Sequence, residues 1–128
     1  MPLETQISVF VKNKVGTLNK LCTALSEAHI NIKALSTVDD VDWAIVGLIV
    51  DDIEKAKTEL QKLGLNCGES QVLTVSMDNK PGKIAKITKK LTDNNISILH
   101  AFLTAEGKRS LLVLMTTDNK KAAQILEP

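Results

Sequence analysis

The feature that most constrains the fold is an internal repeat. Residues 5–62 align with residues 71–128 at an offset of 66, without insertion or deletion. Of these 58 pairs, 13 are identical, and many others keep their chemical type. The identical pairs include Val9/Val75, Asn13/Asn79, Gly16/Gly82, Leu25/Leu91 and Ile30/Ile96. Because solenoid units are shorter and more numerous, this period predicts two copies of one small domain, over residues 1–70 and 71–128.

Each copy carries the same predicted order of elements. In the first copy, apolar residues alternate over 7–11, which is typical of a half-buried strand, and then follow helical spacing after Gly16. A hairpin comes next, with strands predicted over 30–38 and 43–50 and an acidic turn between them. Asp51 with Glu54 three residues later predicts the N-cap of a helix to Leu63. Residues 65–69 can form a short last strand.

This β-α-β-β-α-β order predicts an α+β fold with two ferredoxin-like units in tandem, each an antiparallel sheet with helices on one face. In the second copy we predict strand 72–77, helix 82–94, hairpin strands 96–104 and 109–116, and helix 118–126. That copy has no last strand of its own, which leaves an edge open. An open edge favours pairing with another chain or with the N-terminal segment, and we therefore expect a homo-oligomer, specifically a homodimer.

Composition excludes several classes of function. A formal net charge of +1 gives no general attraction to nucleic acid or to anionic membranes. The same fold carries RNA-recognition domains, but these stack bases on aromatic side chains of the sheet, and the central strands here are aliphatic. The longest apolar run, 44–50, is too short to span a bilayer, and no signal-peptide pattern occurs at the N-terminus. We expect a cytoplasmic protein in which Cys22 is a reduced core thiol.

The most informative motif is a glycine turn that occurs twice. It reads Asn13-Lys14-Val15-Gly16-Thr17-Leu18 in the first copy and Asn79-Lys80-Pro81-Gly82-Lys83-Ile84 in the second. A strand leads into each turn and a helix follows, so that free N–H groups at the helix start can hold a small anion. The alternative is a purely structural turn, in which Asn tolerates left-handed geometry and Gly leads into the helix.

Other polar groups indicate neither a metal nor a catalytic site. The acidic residues of the hairpin turn, Asp39, Asp40 and Asp42, are more typical of a solvated tip than of a metal site. His29 and His100 match no ligand spacing, and we expect His29 to end a helix. No nucleophile–base or carboxylate pair occurs at a suitable spacing, so we predict no metal, no cofactor and no enzymatic activity.

The repeated motif resembles that of a known family. A ferredoxin-like unit whose first turn reads Asn-x-Pro/Val-Gly-x-Leu/Ile, followed by a helix that ends in Ile-Asn-Ile, is similar to the ACT domain. ACT domains are small-molecule-binding regulatory modules, often specific for amino acids. The resemblance covers nearly the whole chain in two copies, with no catalytic domain attached. It therefore implies a stand-alone tandem ACT protein.

The resemblance also implies where a ligand binds. In ligand-binding ACT domains the effector lies between two paired domains, where it touches the first-turn loop of one domain and the start of the second strand. The corresponding residues here are Asn13, Val15, Gly16, Thr17, Leu18 and Asn31 in the first unit, and Asn79, Pro81, Gly82, Lys83, Ile84 and Ser97 in the second. Asn31 corresponds to Ser97, and Lys12 to Asp78, so the two sites need not bind alike.

Two functions follow from this resemblance. The first is a non-catalytic regulatory protein that senses a small metabolite, most specifically an amino acid, and responds by allosteric regulation. The alternative is a regulatory subunit that acts by protein–protein contact on an amino-acid-biosynthetic enzyme or a transcription regulator. Such a partner could dock at the open sheet edge or on the lysine-rich face of the helix after Gly82.

Overall fold

The structure, a computed structural model, describes residues 3–39 and 41–126. Its elements are β1 (Leu3–Lys12), α1 (Thr17–Glu27), β2 (Ile32–Asp39), β3 (Trp43–Val50), α2 (Ile53–Lys62), β4 (Asn66–Asp78), α3 (Lys83–Asp93), β5 (Ile98–Glu106), β6 (Arg109–Thr116) and α4 (Asn119–Leu126). The predicted α+β class with tandem ferredoxin-like units is confirmed. The chain forms two compact units: one spans Thr5–Ser70, and in the other Leu3 and Glu4 join the stretch that begins at Gln71.

The first unit has the strand order β2-β3-β1, with both pairs antiparallel. The alternation predicted for β1 is present: Val9 lies opposite Val46 and both side chains are buried, whereas Phe10 points to the other face and is exposed. Helices α1 and α2 cover the buried face. Its core consists of Ile7, Val9, Val11, Leu21, Leu25, Ile30, Val46, Leu48, Val50, Ala56 and Leu60, with Cys22 partly buried against it.

The second unit repeats this plan with the order β4-β6-β5, again antiparallel. Val75 lies opposite Leu112, as Val9 lies opposite Val46 in the first unit. Its core consists of Leu73, Val75, Leu91, Ile96, Leu112, Leu114, Ala122 and Leu126. Thr74 Oγ1 donates a hydrogen bond to Glu4 Oε2 at 2.6 Å, so residues from the start of the chain contact the first strand of this unit.

The strand that joins the repeats corrects one prediction. The sequence predicted separate strands over 65–69 and 72–77, but β4 runs without interruption for 13 residues from Asn66 to Asp78. Ser70 and Gln71 contain neither a proline nor a left-handed glycine to break it, and Gly68 has no positive φ. The first part of β4 therefore belongs to one unit and the rest to the other.

The N-cap of α2 corrects another prediction, which placed it at Asp51. Asp52 is the N-cap, and its side chain accepts a hydrogen bond from the Lys55 amide at 3.1 Å. Asp52 corresponds in the repeat to Asp118, and Asp118 Oδ1 likewise accepts a hydrogen bond from the Lys121 amide, at 3.0 Å. Asp51 Oδ1 instead accepts a bond from the Asn31 amide at 3.0 Å.

Within the described residues, no helix is both long enough and apolar enough to cross a membrane.

Candidate functional site

The two glycine turns have the same backbone geometry. Gly16 and Gly82 each have φ 89° and ψ −10°, and each precedes the first residue of a helix. A positive φ of this size strains any residue with a Cβ, which explains why both turns use glycine. A Cβ at either position would meet no atom within 4 Å. Glycine is therefore required by the backbone conformation and not by crowding from neighbouring residues.

Each turn is fixed to the neighbouring hairpin by a backbone hydrogen bond. The Asn13 amide donates to the Asp42 carbonyl at 2.9 Å, and the Asn79 amide donates to the Lys108 carbonyl, also at 2.9 Å. In the second turn the Asn79 side chain adds a bond from Nδ2 to the Gly107 carbonyl at 3.0 Å. The Asn79 amide group therefore helps to hold the turn, which leaves its Oδ1 as the atom available to a ligand.

The helices that follow the glycine turns begin without a side-chain cap. Neither α1 nor α3 has a side-chain hydrogen bond at its N-terminus, whereas Asp52 and Asp118 cap α2 and α4. Among the described residues, the amides of Leu18 and Asn19 in the first turn of α1 have no acceptor. These N–H groups, at the positive end of the helix dipole, are open to an anion.

The first glycine turn borders a cavity of about 480 Å³. The cavity lies within the Thr5–Ser70 unit, between the start of α1 and the end of α2. It is lined by Lys12, Lys14, Val15, Gly16, Thr17, Lys20, Leu21, Trp43, Leu63, Gly64, Leu65 and Asn66. Its volume falls in the range of about 300–1,000 Å³ that is usual for small-molecule sites.

A smaller pocket of about 210 Å³ adjoins the same turn. It includes Asn13 and Leu18, together with Lys12, Lys14 and Thr17, which line both spaces. The two pockets therefore involve all five residues that the family resemblance assigned to the first turn.

Thr17 carries a polar atom that the described residues leave unsatisfied. Its Oγ1 has less than 1 Å² of exposed surface and no hydrogen-bond partner among them. An unsatisfied buried oxygen costs roughly 1–3 kcal/mol. Thr17 lines the cavity at the uncapped start of α1, so rotation of its side chain toward the cavity would let a ligand supply the missing hydrogen bond.

The charges that line the cavity are all positive. Lys12, Lys14 and Lys20 line it, no Asp or Glu does, and none of the three lysines forms an ion pair within the described residues. Trp43, the only tryptophan of the chain, adds an indole that is 54% exposed.

The matched positions of the second unit carry an ion pair. Asp78 and Arg109 correspond to Lys12 and Trp43, and Arg109 Nη1 lies 2.7 Å from Asp78 Oδ1. Arg109 Nη2 also donates to Ser76 Oγ at 3.0 Å. In the second turn, Pro81 and Gly82 are exposed, and Lys83 and Ile84 open α3. The two turns share a backbone but not a charge pattern.

Asn31 and Ser97 lie away from the turns of their own units. Asn31 directly precedes β2 and Ser97 directly precedes β5. Their backbone amides donate to Asp51 Oδ1 at 3.0 Å and to Thr117 Oγ1 at 3.1 Å. The 11 residues of α1 separate Asn31 from the first turn, and at 1.5 Å per residue they span about 16 Å. One amino acid cannot reach both groups in the same unit.

Sequence reasoning missed several of the residues that line the cavity. Lys12, Lys14, Lys20, Trp43 and the segment 63–66 were not among the predicted site residues. The opposite charges of Lys12 and Asp78, which are matched in the repeat alignment, could have indicated that Lys12 belongs to the site of the first unit. The wall formed by 63–66 gave no such signal, because it depends on where α2 ends against the rest of its unit.

The histidines lie where the sequence placed them. His29 adopts φ 60° just after α1, as Asn95 does after α3 with φ 59°, so His29 follows the end of the helix as predicted. His100 lies in β5, with its ring centroid 5.7 Å from that of Phe102. In the part of the chain that the structure describes, no group of three His, Cys, Asp or Glu side chains is placed to hold a metal.

Comparison with known proteins identifies the family. No curated protein sequence matches this chain significantly. Among solved structures, protein BT0572 from Bacteroides thetaiotaomicron is 27% identical with a TM-score of 0.92, over 97% of this chain and 86% of that one. The ligand-free regulatory subunit of aspartate kinase from Thermus thermophilus is 16% identical with a TM-score of 0.71, over 98% and 96%.

The corresponding subunit from Thermus flavus is 17% identical with a TM-score of 0.68, over 98% of this chain and 96% of that one. At these identities the two Thermus structures establish a shared fold. The family model described as an ACT domain pair matches residues 3–127. This match spans both repeats and both glycine turns, and the chain therefore belongs to the ACT domain pair family, a regulatory type of domain.

Proposed function

We propose that this chain is a non-catalytic regulatory protein that binds an amino acid at its glycine turns, between paired ACT units. One observation supports this most directly. At the first turn, the open amides of α1 and the unsatisfied Oγ1 of Thr17 adjoin a cavity of about 480 Å³. Two backbone N–H groups without acceptors and a hydroxyl without a partner can together hydrogen-bond a small anion such as a carboxylate.

The chemistry of an α-amino acid suits the two helix ends at this cavity. Its carboxylate can accept hydrogen bonds from the Leu18 and Asn19 amides and from Thr17 Oγ1. The end of α2, at Leu63 and Gly64, also lines the cavity. A helix C-terminus favours positive charge, so the α-ammonium has a favourable position there.

A second ACT unit completes the proposed site. Because Asn31 lies about one helix length from the first turn of its own unit, the Asn31 side chain that meets the ligand comes from another unit. The same holds for Ser97 and the second turn. A ligand that touches two units binds their paired state better than their separate state, and it therefore shifts the population toward pairing. This is the allosteric response that we propose.

A thermal-shift screen of the twenty amino acids, with Thr17→Val beside the wild type, tests the proposal. A ligand at a hundred times its dissociation constant should stabilise the wild type by about 2.7 kcal/mol. Thr17→Val should weaken binding about tenfold, because a hydrogen bond to a charged group is lost. Without ligand, the variant should be as stable as the wild type or more so, since the unsatisfied oxygen is gone.

Thr58→Val is the matched control, because Thr58 Oγ1 donates to the Glu54 carbonyl on the exposed side of α2. It should leave binding unchanged. The proposal fails if no amino acid shifts the melting temperature. The assignment of the site fails if Thr17→Val binds the best ligand as tightly as Thr58→Val does.

The second candidate function, a regulatory subunit that acts by protein contact, is favoured by an exposed apolar patch. Phe10 and Ile45 are cross-strand neighbours on the sheet face opposite the helices, and Val38 pairs with Ile45 on the same face. These three side chains are 40–55% exposed, and Trp43 lies next to them on β3. Apolar patches of this kind mark interaction surfaces. The shared fold with aspartate kinase regulatory subunits agrees with this reading.

Co-purification from the native source, with Ile45→Glu as the comparison, tests the second function. An amino-acid-biosynthetic enzyme or a transcription regulator should be retained by the wild type and lost with the variant. If the wild type retains neither an enzyme nor a transcription regulator, this function is contradicted. Equal retention by both proteins contradicts the role of the patch.

A further inference from the structure

We infer that the cavity beside the first glycine turn selects a ligand with net negative charge, namely an amino acid whose side chain carries a second acidic group, carboxylate or phosphate. This inference rests on the proposed function and names the class of ligand at the same site. It is carried by the charges that line the cavity, by their unpaired state and by the space available.

The first step is the count of charges around the cavity. Lys12, Lys14 and Lys20 line it together with the open start of α1, and no carboxylate lies in the lining. A zwitterion brings one negative group and one positive group. Its carboxylate can neutralise only part of this field, and its ammonium is repelled by the lysines that remain. A second acidic group on the ligand removes that imbalance.

The second step is that the protein does not neutralise these lysines itself. In the described residues, none of the three forms a salt bridge or a side-chain hydrogen bond. The second unit behaves differently at the position that matches Lys12. Asp78 occupies it and binds Arg109 at 2.7 Å. Among the described residues, the first unit thus has an unpaired cation where the second has an ion pair.

The third step is the size and wall of the cavity. About 480 Å³ leaves room beyond the α-carboxylate and α-ammonium groups for a side chain with its own acidic group. Lys14 and Lys20 flank the turn and the first turn of α1, whereas Lys12 lies at the end of β1 directly opposite Trp43. The cations are therefore distributed around the cavity, which suits two separated acidic groups on one ligand.

The position of Trp43 makes the test direct. It is the only tryptophan, the chain has no tyrosine, and Trp43 is among the residues that line the cavity. Intrinsic fluorescence of the full chain therefore reports on this cavity without a label. Two pairs of nearly equal size separate charge from size: glutamate with glutamine, and aspartate with asparagine. A third pair, phosphoserine with serine, tests a phosphate as the second acidic group. Inorganic phosphate alone is a fourth probe.

We expect at least one acidic member to bind ten times or more tightly than its neutral partner. Its affinity should fall as sodium chloride rises from 50 to 500 mM, because salt screens partly exposed charges. Lys14→Ala and Lys20→Ala should each weaken the acidic ligand about fivefold and leave the neutral one unchanged, as removal of one partly screened charge predicts. Lys86→Ala, the matched position of Lys20 in the second unit, should have no effect.

Several results would overturn the inference. If glutamine, asparagine or serine binds as tightly as its acidic partner, charge selection is wrong but the amino-acid sensor stands. If Lys86→Ala weakens binding as much as Lys20→Ala does, the effect belongs to the overall field rather than to this cavity. If none of these compounds binds, the inference fails, whereas the proposed function fails only if the screen of all twenty amino acids also finds no ligand. Tighter binding by the dicarboxylates or by phosphoserine identifies which acidic group the cavity takes.

Discussion

Gly16 and Gly82 set the geometry of both glycine turns through a left-handed backbone. Each has φ 89°, and each is followed at once by a helix whose first amides are free of side-chain caps. A residue with a Cβ would relieve its strain by moving toward negative φ, which would change the direction in which these amides point. The glycine therefore affects the site through the direction of the helix start.

Replacement of either glycine should cost stability for this reason. We expect Gly16→Ala and Gly82→Ala each to lower the free energy of unfolding by about 1–2 kcal/mol, measured by urea denaturation. Gly68→Ala is the control, because Gly68 has no positive φ and open space around it. Its effect should be neutral or slightly stabilising. A loss at Gly16 no larger than at Gly68 would show that the turn tolerates another conformation.

Asn31 shows where residue-level reasoning stops. The family resemblance assigned it to the ligand site together with the first turn, and the structure places it a helix length away within the same unit. Position along the motif can indicate which residues touch a ligand, but not which unit each one comes from. That information lies in the pairing of units, which a single sequence does not encode in a readable pattern.

At the scale of elements, hydrophobic periodicity predicted the core residues but did not predict where every strand and helix begins and ends. The hairpin strands β3 and β6 begin and end where predicted, because each is a continuous apolar run bounded by turn residues. The break predicted near Ser70 is absent. Polar residues can continue a strand when their backbone pairs and no proline or left-handed glycine intervenes, so polarity alone was a poor indicator of a strand end.

The N-cap of α2 could have been predicted correctly by comparing the two copies of the repeat. Asp51 and Asp52 are both acceptable N-caps by residue type, and Glu54 favoured Asp51 through the capping-box spacing. The offset of 66 pairs Asp52 with Asp118, and both bind the amide three residues later. Asp51 corresponds to Thr117 instead, and each of these accepts a hydrogen bond from the start of a hairpin strand. Equivalent positions therefore have equivalent roles.

At the scale of the whole molecule, two outer strands leave hydrogen-bonding groups unpaired on one side. Among the described residues, β2 pairs only with β3, and β5 pairs only with β6. Both strands also expose apolar side chains, with Leu35 38% exposed, Leu103 41% and Leu99 62%. A long, apolar edge of this kind is a template for pairing with another chain. The proposed ligand site likewise needs a second ACT unit.

We therefore predict a homodimer whose copies pair through these edges, with a mass near 27.8 kDa, twice the 13.9 kDa of one chain. Leu103→Lys on β5 and Leu35→Lys on β2 each place a charge on one edge, and the variant at the edge that pairs should sediment as a monomer. Gln124→Lys adds the same charge on the exposed side of α4 and should remain dimeric. If the proposed ligand site joins units of two different chains, the best amino acid should shift the remaining monomer of the wild type toward dimer. A wild type that sediments at 13.9 kDa at 100 micromolar, with or without that ligand, contradicts the dimer and a ligand site shared between two chains. If both edge variants stay dimeric, the dimer forms through another surface, for which the patch around Ile45 is then the first region to mutate.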